Sequence, residues 1–226
     1  QAYDPDEYSW FRSGSRMFER YDYATGNSRT YKFDLEGLVG ESVGVKVAFS
    51  ASASRSTSVT LSVNGVETGV MTIDKPGSND LARVAEKSFV STGQFGEHNT
   101  VKLVHDRPSG ESGHLDYIRL NYRRKLAMYG SATEFRTDKA ADNVSFCVSG
   151  SNADVQIWKL SQDGTCGIVP SVFADGKTVT MGTSYTPDDK LMAVNVKGAF
   201  PEPQTVGLIE NQNLHSLNGV DMVIVV

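Results

Sequence analysis

The length of 226 residues allows one large domain or two small ones, each with its own hydrophobic core. The net charge of -5 and the lack of a long basic run argue against nucleic acid, or an anionic membrane surface, as the main partner. No apolar stretch approaches the roughly 20 residues of a membrane-spanning helix, so we expect a chain that does not span a membrane.

Residues 31–122 alternate apolar and polar side chains, as strands with one buried face do. TYKFDL, VGVKVAF and VTLSV show this most clearly and place the following side chains on one face of each strand: Tyr31, Phe33 and Leu35; Val43, Val45, Val47 and Phe49; Val59, Leu61 and Val63. Asn64-Gly65 then supplies residues that tolerate the positive φ angles of a tight hairpin turn. The return strand contains Ile73, and further strands surround Phe89 and Leu103.

The last strand of this set is LDYIRLNY. Strict alternation predicts that Ile118, Leu120 and Tyr122 face one way and that Leu115 and Tyr117 face the other. About eight short strands separated by turns, with no amphipathic helix between them, predict a jelly-roll-like β-sandwich over residues 1–127.

Aromatic side chains crowd the start of the chain: Tyr3, Tyr8, Trp10, Phe11, Phe18, Tyr21 and Tyr23. Jelly rolls often bind sugars through exposed aromatic residues, but core packing or docking against another domain explains these residues equally well. Trp10 and Phe11 are therefore candidates for interdomain or ligand contact, as is Trp158 in the later segment VQIWKL.

A second set of short strands follows residue 127. NVSFCV, VQIWKL, GIVPSVF, KTVTM and LMAVNV have strand character, and SGSN, SQDG, ADG and TPDD have turn character. The sequence therefore predicts a smaller β-domain over residues 128–200. Pro201 and Pro203 prevent regular strand pairing and favour an extended linker after it.

The two cysteines, Cys147 and Cys166, leave two alternatives open. A disulfide would close a loop of about 20 residues and contribute about 3 kcal/mol in the chain-entropy model. In a simple three-strand meander a middle strand would separate the two residues, which favours buried free thiols. Two cysteines cannot form a four-ligand metal site, and neither CxxC nor HExxH occurs, so we expect no metal and no cofactor.

A continuous apolar run, residues 220–226, closes the sequence and is interrupted only by Asp221. Such a run is typical of a strand buried on both faces, as in a parallel sheet covered by helices. Residues 201–226 are therefore predicted to be a linker followed by the first strand of a further domain of α/β type.

Three stretches carry a resemblance to a known family: LDYIRLNYRRKL, the Trp-centred VQIWKL, and FPEPQTVGLIENQNLHSLNGVDMVIVV. Together they resemble the region just upstream of the catalytic domain in gingipain-like cysteine peptidases, and most of all in the members that act as cell-surface sortases of the type IX secretion system. The likeness is strongest over residues 113–126 and 200–226. In that family, the strand matching residues 220–226 opens the caspase-like α/β peptidase domain.

The resemblance implies a non-catalytic N-terminal β-region of a secreted bacterial peptidase or sortase, with the catalytic His and Cys beyond Val226. Its partners would be its own downstream catalytic domain, an outer-membrane anchoring protein and protein substrates, at the outer-membrane cell surface. His114 superficially resembles a catalytic Gly-His, but the family often has an aromatic residue there, so we expect a packing role. The alternative is a carbohydrate-binding jelly-roll module of a cell-surface protein, which leaves the terminal apolar run unexplained.

Overall fold

The computed structural model describes residues 1–11, 16–137 and 139–208. Contacts between Cα atoms divide the chain into two compact units, Gln1–Lys125 (unit 1) and Leu126–Val226 (unit 2). Every regular secondary-structure element of the described residues is a β-strand, so the predicted all-β class is confirmed.

The described part of unit 1 forms two antiparallel sheets from eight strands. The strands are β1 (Ala2–Tyr3), β2 (Ser28–Asp34), β3 (Ser42–Ser52), β4 (Thr57–Val63), β5 (Val66–Ile73), β6 (Arg83–Thr92), β7 (His98–Asp106) and β8 (Ser112–Asn121). Sheet I has the order β1-β8-β3-β6, and sheet II has the order β2-β7-β4-β5. Because this order distributes the strands between two sheets as a jelly roll does, the predicted sandwich is confirmed.

The core of unit 1 contains the side chains that the alternation predicted. Its buried members include Tyr31, Phe33, Leu35, Val43, Val45, Val47, Phe49, Val59, Leu61 and Val63. Full burial of a side chain of this size stabilises a fold by about 1.5–3 kcal/mol. The predicted hairpin turn joins β4 to β5, with φ of 49° at Asn64 and 83° at Gly65, as a type I′ turn requires.

The predicted alternation is wrong at one point, in β8. Leu115 belongs to the same buried core as Ile118, whereas Tyr117 lies outside that core. The pairing of β3 with β8 changes register here, because Ala48 is opposite Tyr117 and the next residue, Phe49, is opposite Leu115. This β-bulge places one extra residue in β8, and so it shifts the inward-facing positions by one.

Unit 2 is built from shorter strands. They are β9 (Ala132–Phe135), β10 (Ala141–Val144), β11 (Cys147–Ser149), β12 (Val155–Leu160), β13 (Cys166–Val169), β14 (Ser171–Ala174), β15 (Lys177–Thr180), β16 (Thr183–Tyr185) and β17 (Lys190–Asn195). Sheet III has the order β13-β12-β17-β9, sheet IV has the order β11-β15-β14, and β10 pairs with β16. The fully buried centre consists of Val148, Ile157, Leu191 and Ala193.

The strands of unit 2 follow the prediction less closely than those of unit 1. Pro170 lacks a backbone N–H, and it divides the segment predicted as one strand into β13 of sheet III and β14 of sheet IV. The segment NVSFCV is also divided, between β10 and β11. The short strands β9 and β16 were not predicted. Local sequence thus indicates the strands but not the sheet that each one joins.

After β17 the chain turns at residues 196–197 and then has no regular secondary structure as far as it is described. Residues 201–208 contain no strand and are exposed throughout. A linker role for them stays a prediction. The apolar run predicted as the first strand of a further domain, residues 220–226, lies outside the described residues.

Candidate docking surface

Sheet III of unit 2 has apolar side chains on both faces. On the inner face, Ile157 is fully buried between its neighbours on β13 and β17. On the outer face, the next residue of β12, Trp158, lies between Ile168 and Met192. The outer positions of an antiparallel sheet that is covered on one side are normally polar. The outer face is therefore the unusual feature of this sheet.

The outer face forms one apolar surface across three strands. Ile168 is 55% exposed and Met192 is 40% exposed, and Leu160 extends the surface along β12 with 41% exposure. Trp158 is half-buried, and its indole Nε1 is buried with no hydrogen-bond partner among the described residues. We call the surface formed by Trp158, Leu160, Ile168 and Met192 the Trp158 face.

Charged side chains border the Trp158 face. Glu134 of β9 lies opposite Met192 and forms an ion pair with Arg136 at 2.8 Å. Lys190, which is exposed, lies opposite Leu160. An apolar centre with a polar rim is the usual anatomy of a protein–protein interface. The composition of this face suits packing against another protein surface.

The sequence contained a signal for this surface. In VQIWKL, Val155 and Ile157 occupy one face of the strand, while Trp158 and Leu160 occupy the other. LMAVNV repeats the pattern on the neighbouring strand. A strand in a sheet covered on one side needs only one apolar face, so two apolar faces indicate that something further covers the second.

The other two predicted contact residues, Trp10 and Phe11, lie in unit 1. The Trp10 indole donates a hydrogen bond to Ser50 Oγ at 3.1 Å and packs edge-on against the ring of His114, with centroids 5.0 Å apart. Phe11 is 55% exposed. Trp10 is thus fixed on its own unit, whereas Phe11 is accessible. An interdomain or ligand contact for these residues, and for Trp158, stays a prediction.

The crowded N-terminal aromatic residues pack mostly on unit 1 itself. Phe18 and Tyr23 are buried, and Tyr8 stacks on His114 with ring centroids 4.1 Å apart. His114 is buried, and its Nδ1 is bonded to the Glu19 carbonyl at 2.9 Å, which agrees with the expected packing role. Phe11 is the one mostly exposed member of the set. These residues therefore do not form an exposed aromatic platform for sugars.

A buried carboxylate, which the sequence analysis missed, joins the N-terminal segment to sheet II. The Glu19 side chain is 2% exposed and pairs with Arg29 at 3.0 Å. It accepts hydrogen bonds from the hydroxyls of Tyr3 and Tyr31, each at 2.6 Å, and the Tyr23 hydroxyl lies 3.0 Å from that of Tyr31. Burial and the bond to Glu19 raise the pKa of Tyr3 to about 12. We call these five residues the Glu19 cluster.

Both cysteines are free and exposed. Cys147 lies on β11 of sheet IV, and Cys166 lies on β13 of sheet III. The structure thus contains neither the disulfide nor the buried thiols that the sequence left as alternatives. The simple meander does not form, because the two residues belong to different sheets.

We expect a thiol reagent such as DTNB to label both Cys147 and Cys166 in the folded chain, because exposed thiols are accessible without unfolding. The variants Cys147→Ser and Cys166→Ser should each halve the labelling. The measurement is the absorbance of the released thiolate at neutral pH under native conditions. A chain that is labelled only after reduction in denaturant would contradict the free, exposed state.

Within residues 1–11, 16–137 and 139–208, no group of three or more His, Cys, Asp or Glu side chains is arranged to hold a metal ion. Nor does that part of the chain contain a helix long and apolar enough to cross a bilayer. The described histidines, His98, His105 and His114, lie in unit 1, whereas both cysteines lie in unit 2.

The two units therefore define an all-β protein in which a jelly-roll sandwich precedes a smaller β-unit with an exposed apolar sheet face. The solved structure of dimeric latent PorU from Porphyromonas gingivalis contains this fold, with a TM-score of 0.73 and 19% sequence identity. The alignment covers 95% of this chain and 22% of the PorU chain. The resemblance noted in the sequence points to the same protein. The chain has a PorU-like fold over about a fifth of the length of PorU.

A second solved structure aligns only weakly with the chain. The cycloisomaltooligosaccharide glucanotransferase of a Paenibacillus species, solved with cycloisomaltoheptaose, aligns over 73% of this chain and 40% of its own, at 9% identity. Its TM-score of 0.33 is too low to indicate a shared fold. No protein-family model matches the chain, and no curated protein matches it.

Proposed function

We propose that this chain is the non-catalytic N-terminal β-region of a secreted, gingipain-like cysteine peptidase of the sortase type. In this proposal it packs against the downstream catalytic domain and holds it in position. The observation that carries the proposal is the Trp158 face, an exposed apolar surface on an otherwise well-packed sheet. Large exposed apolar surfaces with a polar rim mark sites where another protein surface docks.

The PorU-like fold supports a domain of the same protein as the occupant of this face. In PorU the matching fold is 22% of a longer chain, so there it has covalently attached neighbours. The resemblance of residues 200–226 to the entry of the caspase-like domain makes that domain the nearest such neighbour here. A short tether gives an attached domain a high effective concentration, so a modest apolar face is enough to hold it.

Covering the Trp158 face supplies the energy for this positioning. Full burial of a side chain such as Ile168 or Met192 contributes about 1.5–3 kcal/mol, and each is now roughly half exposed. The half-buried Trp158 resembles the aromatic residues that dominate protein interfaces, since it is large and has few rotatable bonds. The rim charges of Glu134 and Lys190 then favour one orientation over others.

The chemistry of the parent follows from its kinship and belongs to the downstream domain. A cysteine thiolate there attacks a peptide carbonyl, and histidine donates a proton to the leaving amine. In a sortase the resulting thioester is passed to another amine instead of water. The role of this chain is to position that domain at the cell surface, beside an outer-membrane anchoring protein and protein substrates.

Ile168→Glu in the full-length protein tests the proposal. Docking would bury an unpaired carboxylate at the centre of the interface. We therefore expect the catalytic domain to separate from the Trp158 face while it stays attached through the chain, and its activity to fall by at least about tenfold. Limited proteolysis should at the same time cut faster within residues 197–208. Far-ultraviolet circular dichroism of the 226-residue chain with the same substitution shows whether it is still folded.

Val172→Glu is the matched control for Ile168→Glu. Val172 is an apolar strand residue of the same unit with 52% exposure, close to the 55% of Ile168, but it lies on sheet IV. The Val172→Glu variant should leave both the activity and the rate of cleavage within residues 197–208 unchanged. If the two variants behave alike, or if neither changes the rate of cleavage, the Trp158 face is not the docking surface.

A further inference from the structure

Unit 1 has an open cleft at the end of the sandwich where β6 ends. Two adjoining cavities of about 640 and 300 Å³ share the segment from Thr92 to Phe95 as part of their lining. The loop before β3 lines the larger cavity, and the hairpin after β4 lines the smaller one. We call this region the tip cleft, and its main side chains are Glu41, Ser42, Asn64, Thr92, Gln94 and Phe95.

Two asparagine side chains hold the wall of the tip cleft in place. Asn99 is 2% exposed; its Nδ2 donates to the Gly96 carbonyl at 2.7 Å, and its Oδ1 accepts from the Gly96 amide at 3.2 Å. Asn64 Nδ2 donates to Asn99 Oδ1 at 2.9 Å and to the Gln94 carbonyl at 3.2 Å. The loop between β6 and β7 is therefore organised before any ligand arrives, which lowers the entropic cost of binding.

The functional groups of the cleft are neutral or acidic. The side chains of Glu41, Thr92 and Gln94 are exposed and have no hydrogen-bond partner among the described residues. Phe95 is half-buried against the core, and Val66, which is 61% exposed, lines the smaller cavity. No Lys or Arg is among the described residues that line either cavity, so an anionic ligand would meet the Glu41 carboxylate without a counter-charge.

Backbone groups next to the cleft are already paired between residues 41–42 and 92–93. Ser42 is already paired with Thr92 across β3 and β6, and the Gly93 amide donates to the Glu41 carbonyl at 3.2 Å. A peptide that extends a sheet needs unpaired backbone groups at a strand edge. What the cleft offers is a set of side-chain donors and acceptors beside apolar surface.

We propose that the tip cleft binds a neutral oligosaccharide. The amide of Gln94, the carboxylate of Glu41 and the hydroxyl of Thr92 can exchange hydrogen bonds with the hydroxyl groups of a sugar. The apolar surface of Phe95 and Val66 can pack against the C–H face of the ring. This site is separate from the crowded N-terminal aromatic residues, and the proposal does not depend on the docking role of the Trp158 face.

NMR titration of the ¹⁵N-labelled 226-residue chain tests the proposal, with maltohexaose, cellohexaose and chitohexaose as separate probes. We expect at least one hexasaccharide to shift the amide resonances of residues 40–42 and 91–95. Gln94→Ala should weaken that binding by about fivefold, the effect of one hydrogen bond. Thr92→Trp should abolish it by filling the cleft, and Glu36→Ala, an exposed change on the same loop as Glu41 but outside the cleft, should leave it unchanged.

Three results would overturn the oligosaccharide site. One is the lack of any shift with all three probes at about 10 mM, which would exclude even weak binding. The second is a set of shifts that maps to another surface, such as the one around Phe11. The third is binding that survives Gln94→Ala and a correctly folded Thr92→Trp, as judged from the dispersed amide spectrum.

Discussion

Replacing the buried carboxylate of the Glu19 cluster by an amide, Glu19→Gln, should lower the free energy of unfolding of unit 1 by about 3 kcal/mol. The substitution keeps the shape of the side chain and removes its charge. The amide nitrogen would then face the hydroxyl of Tyr3 or Tyr31, both of which donate to Glu19 in the native fold. Arg29 would lose the buried partner that it contacts at 3.0 Å.

The magnitude follows from where the cluster lies. Hydrogen bonds to a charged group contribute about 1.5–3 kcal/mol each, and a buried group left without its partner costs as much again. The cluster joins the N-terminal segment, through Tyr3 and Glu19, to strand β2 of sheet II, through Arg29 and Tyr31. The backbone N–H of Glu19 also donates to the Leu115 carbonyl of sheet I at 2.7 Å. The loss therefore affects the edge where both sheets meet.

The two tryptophans allow the stability of unit 1 to be measured separately. Trp10 lies in unit 1 and Trp158 lies in unit 2. In a Trp158→Phe background, the fluorescence change during urea unfolding therefore reports on unit 1 alone. This matters because two units that unfold separately do not give one free energy of unfolding.

Glu86→Gln is the matched control for Glu19→Gln. Glu86 also interacts with a cation and a tyrosine, since it pairs with Lys46 at 2.6 Å and accepts a hydrogen bond from Tyr117. Its side chain is 44% exposed, however, and water and salt screen an exposed ion pair. The control should be much less destabilising. Equal losses in the two variants would show that burial of Glu19 does not matter.

The sandwich could be predicted from the sequence because one periodicity extends over most of unit 1. Val43, Val45 and Val47 repeat at every second position, and one buried face is enough to specify such a strand. The bulge in β8 could not be predicted in this way. It depends on how β8 pairs with β3 opposite Ala48, and LDYIRLNY alone contains no information about that partner.

The candidate sites likewise differ in whether one segment of the sequence is enough to reveal them. Trp158 stood out as a large aromatic residue within the single segment VQIWKL, which is a local feature of the sequence. The Glu19 cluster did not, because Glu19 and Arg29 are brought together with Tyr3 only when the N-terminal segment crosses to sheet II. The tip cleft likewise combines loops that are far apart in sequence. Sequence patterns reveal faces of strands, whereas sites built from several loops require the fold.

A second large effect is expected from His105, a buried residue of strand β7. The residue is 1% exposed, and neither ring nitrogen has a hydrogen-bond partner among the described residues. The ring packs against Phe49, with centroids 5.0 Å apart. Burial, together with the nearby charge of Arg107, lowers the pKa of His105 from 6.5 to about 4, although Asp106 and Asp22 oppose the shift.

The lowered pKa makes unit 1 sensitive to acid. As the pH falls below 6.5, the unfolded chain protonates this histidine, but the folded chain resists protonation until the pH reaches about 4. The contribution of the neutral ring is therefore complete above pH 6.5 and is lost between pH 6.5 and pH 4. Each pKa unit corresponds to 1.36 kcal/mol, so the loss amounts to about 3 kcal/mol.

His105→Leu should remove this part of the pH dependence. Because leucine fills the site without a titrating group or unpartnered nitrogens, the variant should be at least as stable as the parent at pH 7 and gain on it as the pH falls to 4. Urea unfolding at several pH values, followed through Trp10, measures the difference, in which the contributions of other groups cancel.

His98 supplies a control of opposite sign. Asp34, at 2.7 Å, raises the pKa of His98, so this histidine stabilises the fold at low pH and loses that effect as the pH rises through the raised value. Both side chains are exposed, and screening keeps the effect small. His98→Gln should therefore leave the acid sensitivity of the parent in place. If His105→Leu unfolds in acid as readily as the parent does, another group is responsible, and the buried ring of His105 is not the acid-sensitive element of the sandwich.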